Sequence, residues 1–398
     1  MTIALEALDA RYLSPQPRLN HTWLNAAIGE VLTQLDAMLP RFTATFPAAS
    51  ATRGRYESVE KVDWTEGFWT GMLWLAWEVT GDDKYRAVAE SLLDSFEERL
   101  DKQIKVDTHD LGFLYLLSCV NAWKLTGNLR ARELALRAAE LLYRRFNATA
   151  GVIQAWGDLN DPARQGRMII DCNLNVPLLF WAANETGNQR WREAASRHLA
   201  QAARYLVRED ASTFHTFYMD VHSGQPLRGD THQGFSDSSC WARGQAWGIY
   251  GFALGYAHTG DAWQPELSRR LAHYFLNRLP EDFVCYWDLI FTAEDNQYRD
   301  TSAAAIAACG LAELLKLLPL TDPLRPAYGN AIELIMRNLR ERYFAHAQDG
   351  LLREGVYNFG RNMGINEPNL WGRLLLFRSP GSPFPRLDTL LLLTGATP

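Results

Sequence analysis

The chain has 398 residues, 47% hydrophobic, 12% aromatic and 22% charged, with a net charge of −6. That profile excludes disorder, collagen and coiled coil. The acidic balance argues against a nucleic-acid surface, which needs clustered Lys and Arg, but leaves room for an anionic small substrate in a local cationic pocket.

Along the chain, helices come in pairs. A first helix near residues 21–42 precedes them. Four times an apolar run then ends in a Thr-Gly-Asp or Thr-Gly-Asn turn: Thr80-Gly81-Asp82, Thr126-Gly127-Asn128, Thr186-Gly187-Asn188 and Thr259-Gly260-Asp261. Glycine supplies the left-handed conformation that closes a helix, and the Asp or Asn after it can cap the next one. The helix before each turn is apolar nearly all round, as in FWTGMLWLAWEV. The helix after it carries a charged stripe, as in RARELALRAAELLYRRF. An all-apolar helix is buried and a striped one faces water. Residues 301–340 read as a further pair, and helices near 21–42 and 368–378 are placed to close a ring. The expected fold is all-α, an (α/α)6 toroid of about six hairpins with an inner and an outer ring. One catalytic domain is expected over residues 1–398.

Five cysteines, at 119, 172, 240, 285 and 309, form no Cys-x-x-Cys pair, so free thiols in a reducing compartment are expected. The N-terminal residues lack a basic segment followed by an apolar run, and no stretch of about 18 apolar residues occurs. A cytoplasmic chain without a membrane partner is the expectation.

In such a toroid the segments before the inner helices gather at one mouth. They contain Asp63, Asp110, Asp171, Asp237 and Asp300, each at or near a helix start. Capping explains an Asp in that position. Asp110 and Asp171 differ in being embedded among apolar residues. If both enter one cavity, their repulsion leaves one protonated near neutral pH, as a general acid must be. Trp64 and Trp247 stand beside polar groups, where an aromatic face can stack on a sugar ring or simply pack in the core. Arg243 shares a helix face with Trp247; it can serve as an ion-pair partner of an Asp or hold a substrate carboxylate. His109, His215 and His232 have no metal-ligand spacing, and no phosphate loop, nucleophile elbow or dinucleotide fingerprint occurs, so neither metal nor cofactor is expected.

These motifs resemble the unsaturated glucuronyl hydrolases. The resemblance runs from about Asp63 to about Gly372 and rests on DWTEGFW at 63–69, HDLGF at 109–113, IIDCNLNVPLLFWA around Asp171, and THQGFSDSSCWARGQAWGIYG at 231–251. It implies an (α/α)6 barrel and a hydrolase that removes a 4,5-unsaturated uronic acid from lyase-generated glycosaminoglycan oligosaccharides by hydrating the C4=C5 bond. It also implies that Asp171 is the general acid/base and Asp110 its essential neighbour. Trp64, His109, His215, Gln233, Arg243 and Trp247 would fall on substrate-contacting positions. The sequence departs from the family where Arg373-Leu374-Leu375 follows Gly372, and in the loop Gly355–Asn362, which lacks the Ser- and Lys-bearing pattern some members use for a sulfated sugar. An unsaturated rhamnogalacturonyl hydrolase, with the same chemistry on pectin fragments, is the alternative. A sugar 2-epimerase would favour histidine acid/base groups, and a catalytically inactive sugar-binding protein would not need both aspartates.

Overall fold

The computed structural model describes residues 3–61, 63–346 and 349–372. The chain is predominantly helical. Helix α1 (His21–Met38) leads into five successive helical hairpins. The first member of each is α2 (Glu66–Thr80), the run of α5 (Leu111–Tyr115), a π turn (Leu116–Val120) and α6 (Asn121–Thr126), then α8 (Pro177–Thr186), α10 (Ala242–Thr259) and α12 (Thr301–Leu317). The second members are α3 (Asp83–Ser91) with α4 (Leu93–Asp101), then α7 (Leu129–Arg144), α9 (Gln189–Gln201), α11 (Trp263–Asn277) and α13 (Arg325–Tyr343).

The contrast read from composition is present in three dimensions. Helix α10 is buried continuously from Ala242 to Gly255. Helix α7 buries a single stripe, Ala131, Leu134, Ala135, Ala138, Ala139 and Leu142, and turns its arginines outward. Gly81, Gly127, Gly187 and Gly260 close the first helices with φ between 70° and 75°. Asp82, Asn128 and Asn188 cap the helices that follow, accepting from the N–H groups of Lys84, Ala131 and Arg190. Asp261 does not: α11 starts two residues later, and its capping position is Ala262.

The buried helices pack in chain order, α2 on α5, α5 on α8, α8 on α10 and α10 on α12. Glycine lets these helices approach closely, as two of the contacts show. A Cβ on Gly67 would lie 2.1 Å from the Phe113 carbonyl oxygen, and one on Gly112 would lie 2.3 Å from the Asn175 Cα. Helix α1 spans the outer layer: Glu30 pairs with Arg340 of α13, and Asp36 accepts from Tyr85 of α3. Trp371 stacks on Trp64 before α2, and Gly372 lies against Ser302 of α12. The helix expected near 368–378 has its first turn at Leu370; Arg373, Leu374 and Leu375 lie outside the described residues.

The all-helical frame also carries short antiparallel strands in the connections between hairpins: β1 (Phe46–Pro47) with β2 (Ser58–Val59), β3 (Phe146–Asn147) with β4 (Val152–Ile153), β5 (Arg167–Ile169) with β6 (Thr216–Met219) and β7 (Pro226–Asp230), and β8 (Gly355–Asn358) with β9 (Met363–Glu367). They pair backbone groups of the connecting loops with one another.

The two kinds of glycine are expected to respond differently to alanine. At Gly127 nothing lies within 4 Å of a new Cβ, and only the left-handed φ resists it, so Gly127→Ala should cost about 1–2 kcal/mol in denaturant unfolding with activity retained. Gly112→Ala should cost about 1–3 kcal/mol through overpacking and should also impair catalysis, because it pushes the Asp110 and Asp171 segments apart.

Candidate active site

The inner-helix starts surround a cavity of about 190 Å³. Sites for drug-sized ligands are typically about 300–1,000 Å³, so this one suits a single small ring with its neighbour at the mouth. Trp64, Asp110, Asp171, Gln233, Arg243 and Trp247 line it, six of the eight residues singled out from sequence.

Asp110 occupies the N-cap position of α5 yet does not cap it. Its Oδ2 accepts instead from Thr108 Oγ1 at 2.6 Å. Asp171 lies in a 3₁₀ turn (Ile170–Leu174) that leaves β5 directly, and it caps nothing either. Asp63, Asp237 and Asp300 behave as ordinary turn and cap residues, accepting from the N–H groups of Trp64, Thr231 and Ser302 respectively. Two aspartates are thus set apart from backbone duty, and both face the cavity. Asn175 joins their segments: its Oδ1 accepts from the Phe113 N–H at 2.7 Å, and its Nδ2 donates to the Asp171 carbonyl at 3.4 Å.

His109 sits behind this pair. It is wholly buried, with Nε2 3.3 Å from Asp110 Oδ1 and 3.3 Å from Asp171 Oδ1. Burial disfavours a charged imidazole, but Asp110, with Cys172 and Asp171 beyond it, holds the His109 pKa well above the ordinary histidine value. Burial also pushes the Asp171 carboxyl up to about 6; His109 opposes the rise, Asp110 adds to it, and Arg243 opposes it more weakly. Donor atoms of His109, Asp110 and Asp171 come within 4.8 Å of one another, the one such set among the described residues.

Arg243, in the first turn of α10, is buried and sandwiched between the rings of Trp241 and Trp371 at 4.5 and 4.9 Å. Nη1 donates to Asp300 Oδ2 at 2.9 Å and to the Val356 carbonyl at 2.6 Å. Nη2 donates to Gln233 Oε1 at 2.6 Å and to the Tyr357 carbonyl at 2.7 Å. Of the two roles open to it from sequence, ion-pair partner is the one seen; its terminal nitrogens are taken up by protein acceptors. The bond to Gln233 Oε1 leaves the Gln233 amide N–H₂ as the end available to a ligand.

The walls are aromatic. Trp64 donates from Nε1 to the Tyr357 hydroxyl at 3.0 Å and packs against Phe68, Phe113 and Trp371. A turn behind it is pinned by the buried Arg99–Glu66 pair at 3.1 Å. Trp247 is almost fully buried, 5.3 Å from Phe113. Opposite, Trp156 lies under Arg167 and beside His232, whose Nε2 is 3.1 Å from Arg361 Nη2 at the rim.

His109 and His215, the other two residues singled out from sequence, are buried beside the cavity rather than among its lining residues. His215 is buried behind the wall, and its Nδ1 accepts from the N–H groups of His232 at 2.8 Å and Gln233 at 3.1 Å. Burial, with His232 and Arg243 nearby, holds its pKa well below normal, so the ring is neutral and organises the Gln233 loop. Trp156, His232, Trp241, Tyr357, Asn358 and Met363 also line the cavity. His232 and Trp241 lie in the 231–251 motif beside Gln233 and Arg243, and Tyr357 and Asn358 in the loop Gly355–Asn362 singled out above; Trp156 and Met363 had no such signal.

Residues 35–355 match the model of Glycosyl Hydrolase Family 88. The chain belongs to that family. An unsaturated chondroitin disaccharide hydrolase of Streptococcus pneumoniae is 44% identical over 360 residues, covering 89% of this chain and 90% of the relative. An unsaturated glucuronyl hydrolase of Bacillus sp. strain GL1 is 45% identical over 349 residues, 87% of this chain and 93% of the relative. The crystal structure of unsaturated glucuronyl hydrolase from Streptococcus agalactiae superposes with a TM-score of 0.92 at 41% identity, covering 95% of this chain and 96% of that one. This family 88 member is a glycoside hydrolase, and the resemblance to unsaturated glucuronyl hydrolases read from its motifs is borne out.

A carboxyl with its pKa raised to about 6 donates only below that pH. The kcat/KM of the free enzyme should therefore decline as pH rises through about 6, measured over a pH series at constant ionic strength. A profile that stays flat across that region would remove Asp171 as the proton donor.

Proposed function

We propose that the chain releases the 4,5-unsaturated uronic acid from the non-reducing end of lyase-generated glycosaminoglycan oligosaccharides, chondroitin disaccharides foremost. The observation that carries the proposal is the meeting of Asp110 and Asp171, both free of capping duty, on the floor of one aromatic-walled cavity. The names of the relatives support the same substrate class.

The C4=C5–O5 unit of the substrate is an enol ether. Asp171, as the acid, gives its proton to C4, and cationic character develops at C5 and the ring oxygen. The Asp171 carboxylate then takes a proton from water as that water adds to C5. The product is a hemiketal at C5; its C5–O5 bond breaks, and the resulting hemiacetal at C1 collapses to release the next sugar. One carboxyl performs both proton transfers, so the spacing rules for carboxyl pairs that attack the anomeric carbon do not govern this site. Asp110 supplies negative charge that favours the developing cation. Trp64 and Trp247 hold the ring, and Gln233 offers its amide to the C5 carboxylate beside Arg243.

The same reading covers architecture and setting. The five hairpins, α1 and the helix beginning at Leu370 form an (α/α)6 toroid, one catalytic domain over residues 1–398. The described cysteines are free, in keeping with a cytoplasmic setting, and no helix among the described residues is long and apolar enough to cross a membrane. The chemistry calls on no cofactor.

Mixing the enzyme with unsaturated chondroitin disaccharide should abolish the ultraviolet absorbance of the conjugated double bond. Asp171→Asn should lower that rate by at least about a thousandfold, with circular dichroism unchanged. Absorbance retained with every glycosaminoglycan product, but lost with a pectin-derived disaccharide, would move the substrate to rhamnogalacturonan. Arg361 at the rim is placed to meet an anionic group on the second sugar. Arg361→Ala should lower kcat/KM for a sulfated disaccharide by about tenfold and leave the unsulfated one nearly unchanged, a difference of about 1.4 kcal/mol; equal losses on both would deny it that role.

A further inference from the structure

Two carboxyl groups on one half-dry floor repel each other as anions. Without compensation, one would keep its proton too tightly to hand it over. Arg243 supplies only a weaker part of the compensating charge, since its guanidinium is bonded to Asp300 and three other protein acceptors. None comes from His215 or His198, both buried with lowered pKa values. His109 alone lies against both carboxyls, 3.3 Å from each. It is completely buried and stands behind the cavity rather than in its lining.

We propose that His109 is a positioning residue: a cationic imidazole lodged behind Asp110 and Asp171 that holds both carboxyls on the cavity floor and balances their charge. The inference rests on the unsaturated-uronyl hydrolase reading but concerns a different residue. The groups facing the ring are consistent with it. Asp110 and Asp171 meet Nε2; Cys172, from the same 3₁₀ turn as Asp171, adds no positive charge; Trp156 packs edge-on at 6.4 Å. His198 and His215 approach it as neutral rings, and Arg145 and Asp63 act on Asp110 from farther out. Such a cation strengthens Asp171 as an acid by keeping its proton transferable near neutral pH. A purely structural histidine, or one contacting substrate, would not do so.

The test separates these roles. His109→Gln keeps hydrogen-bonding capacity and similar bulk but removes the charge. Its alkaline limb in kcat/KM should move up by about one pH unit or more, and kcat should fall while KM changes little. An unmoved limb, or a loss confined to KM, would overturn the proposal. In parallel, nitrogen NMR of the wild-type histidine rings needs no variant: one of the nine histidines should stay doubly protonated at a pH where free imidazole is neutral, and should lose that proton more readily in Asp110→Asn. No such ring in the wild type would overturn the proposal, whatever the variants do. Wild-type turnover of the unsaturated disaccharide, scored separately, tests the underlying function.

Discussion

The contact between Gly112 and Asn175 is the constraint on which the site depends. Helix α5 and the 3₁₀ turn that carries Asp171 approach until a single Cβ on Gly112 would overlap the Asn175 backbone. The Asn175 side chain then bonds in both directions, to the Phe113 N–H and to the Asp171 carbonyl. Backbone at this distance has no freedom to slide, because interiors close-pack and respond to even one methylene. Asp110 and Asp171 come from different hairpins, yet their separation is set by main chain rather than by long side chains. Only such a scaffold can hold a proton donor within the tolerance that acid catalysis needs.

Arg243 plays the corresponding part on the other wall. It ties the start of α10 to Asp300 at the start of α12, to β8 through two carbonyls, and to the loop bearing Gln233. A buried ion pair of this kind adds little to stability over an apolar replacement, but losing one partner typically costs about 3–5 kcal/mol. Its value lies in geometry. The planar guanidinium is clamped between two indoles and presents donors at fixed angles. Gln233, Tyr357 and Asn358 are thereby brought to the cavity from segments more than a hundred residues apart in the chain.

The hairpins were readable in the sequence because their signals are local: a left-handed glycine, a cap, and a switch from all-apolar to striped composition. The rule failed at Asp261, where the helix begins later than its capping residue suggests. The short strands escaped notice because runs of two to five residues carry almost no periodicity. At the site, the residue types that bear chemistry were visible, but their direction was not. His109 precedes Asp110 in the chain and is nonetheless turned into the interior, since adjacent residues at a helix start point to different sides. His215 lies beside β6, and its ring faces inward from the strand. Trp156 and Met363 reach the cavity only through tertiary packing, and nothing in their own neighbourhoods announces it.

The two walls together dictate how a ring must lie. The floor bears the carboxyl groups of Asp110 and Asp171, with His109 behind them. The opposite side offers the Gln233 amide beside an arginine whose own charge is matched by Asp300. In a 4,5-unsaturated uronate the carboxylate is attached to C5, next to the alkene carbon that needs the proton. On the proposed function, a carboxylate seated against Gln233 would turn C4 toward Asp171, with the indoles of Trp64 and Trp247 limiting rotation about that axis. Orientation would then depend on one wall and proton transfer on the other, across one small cavity.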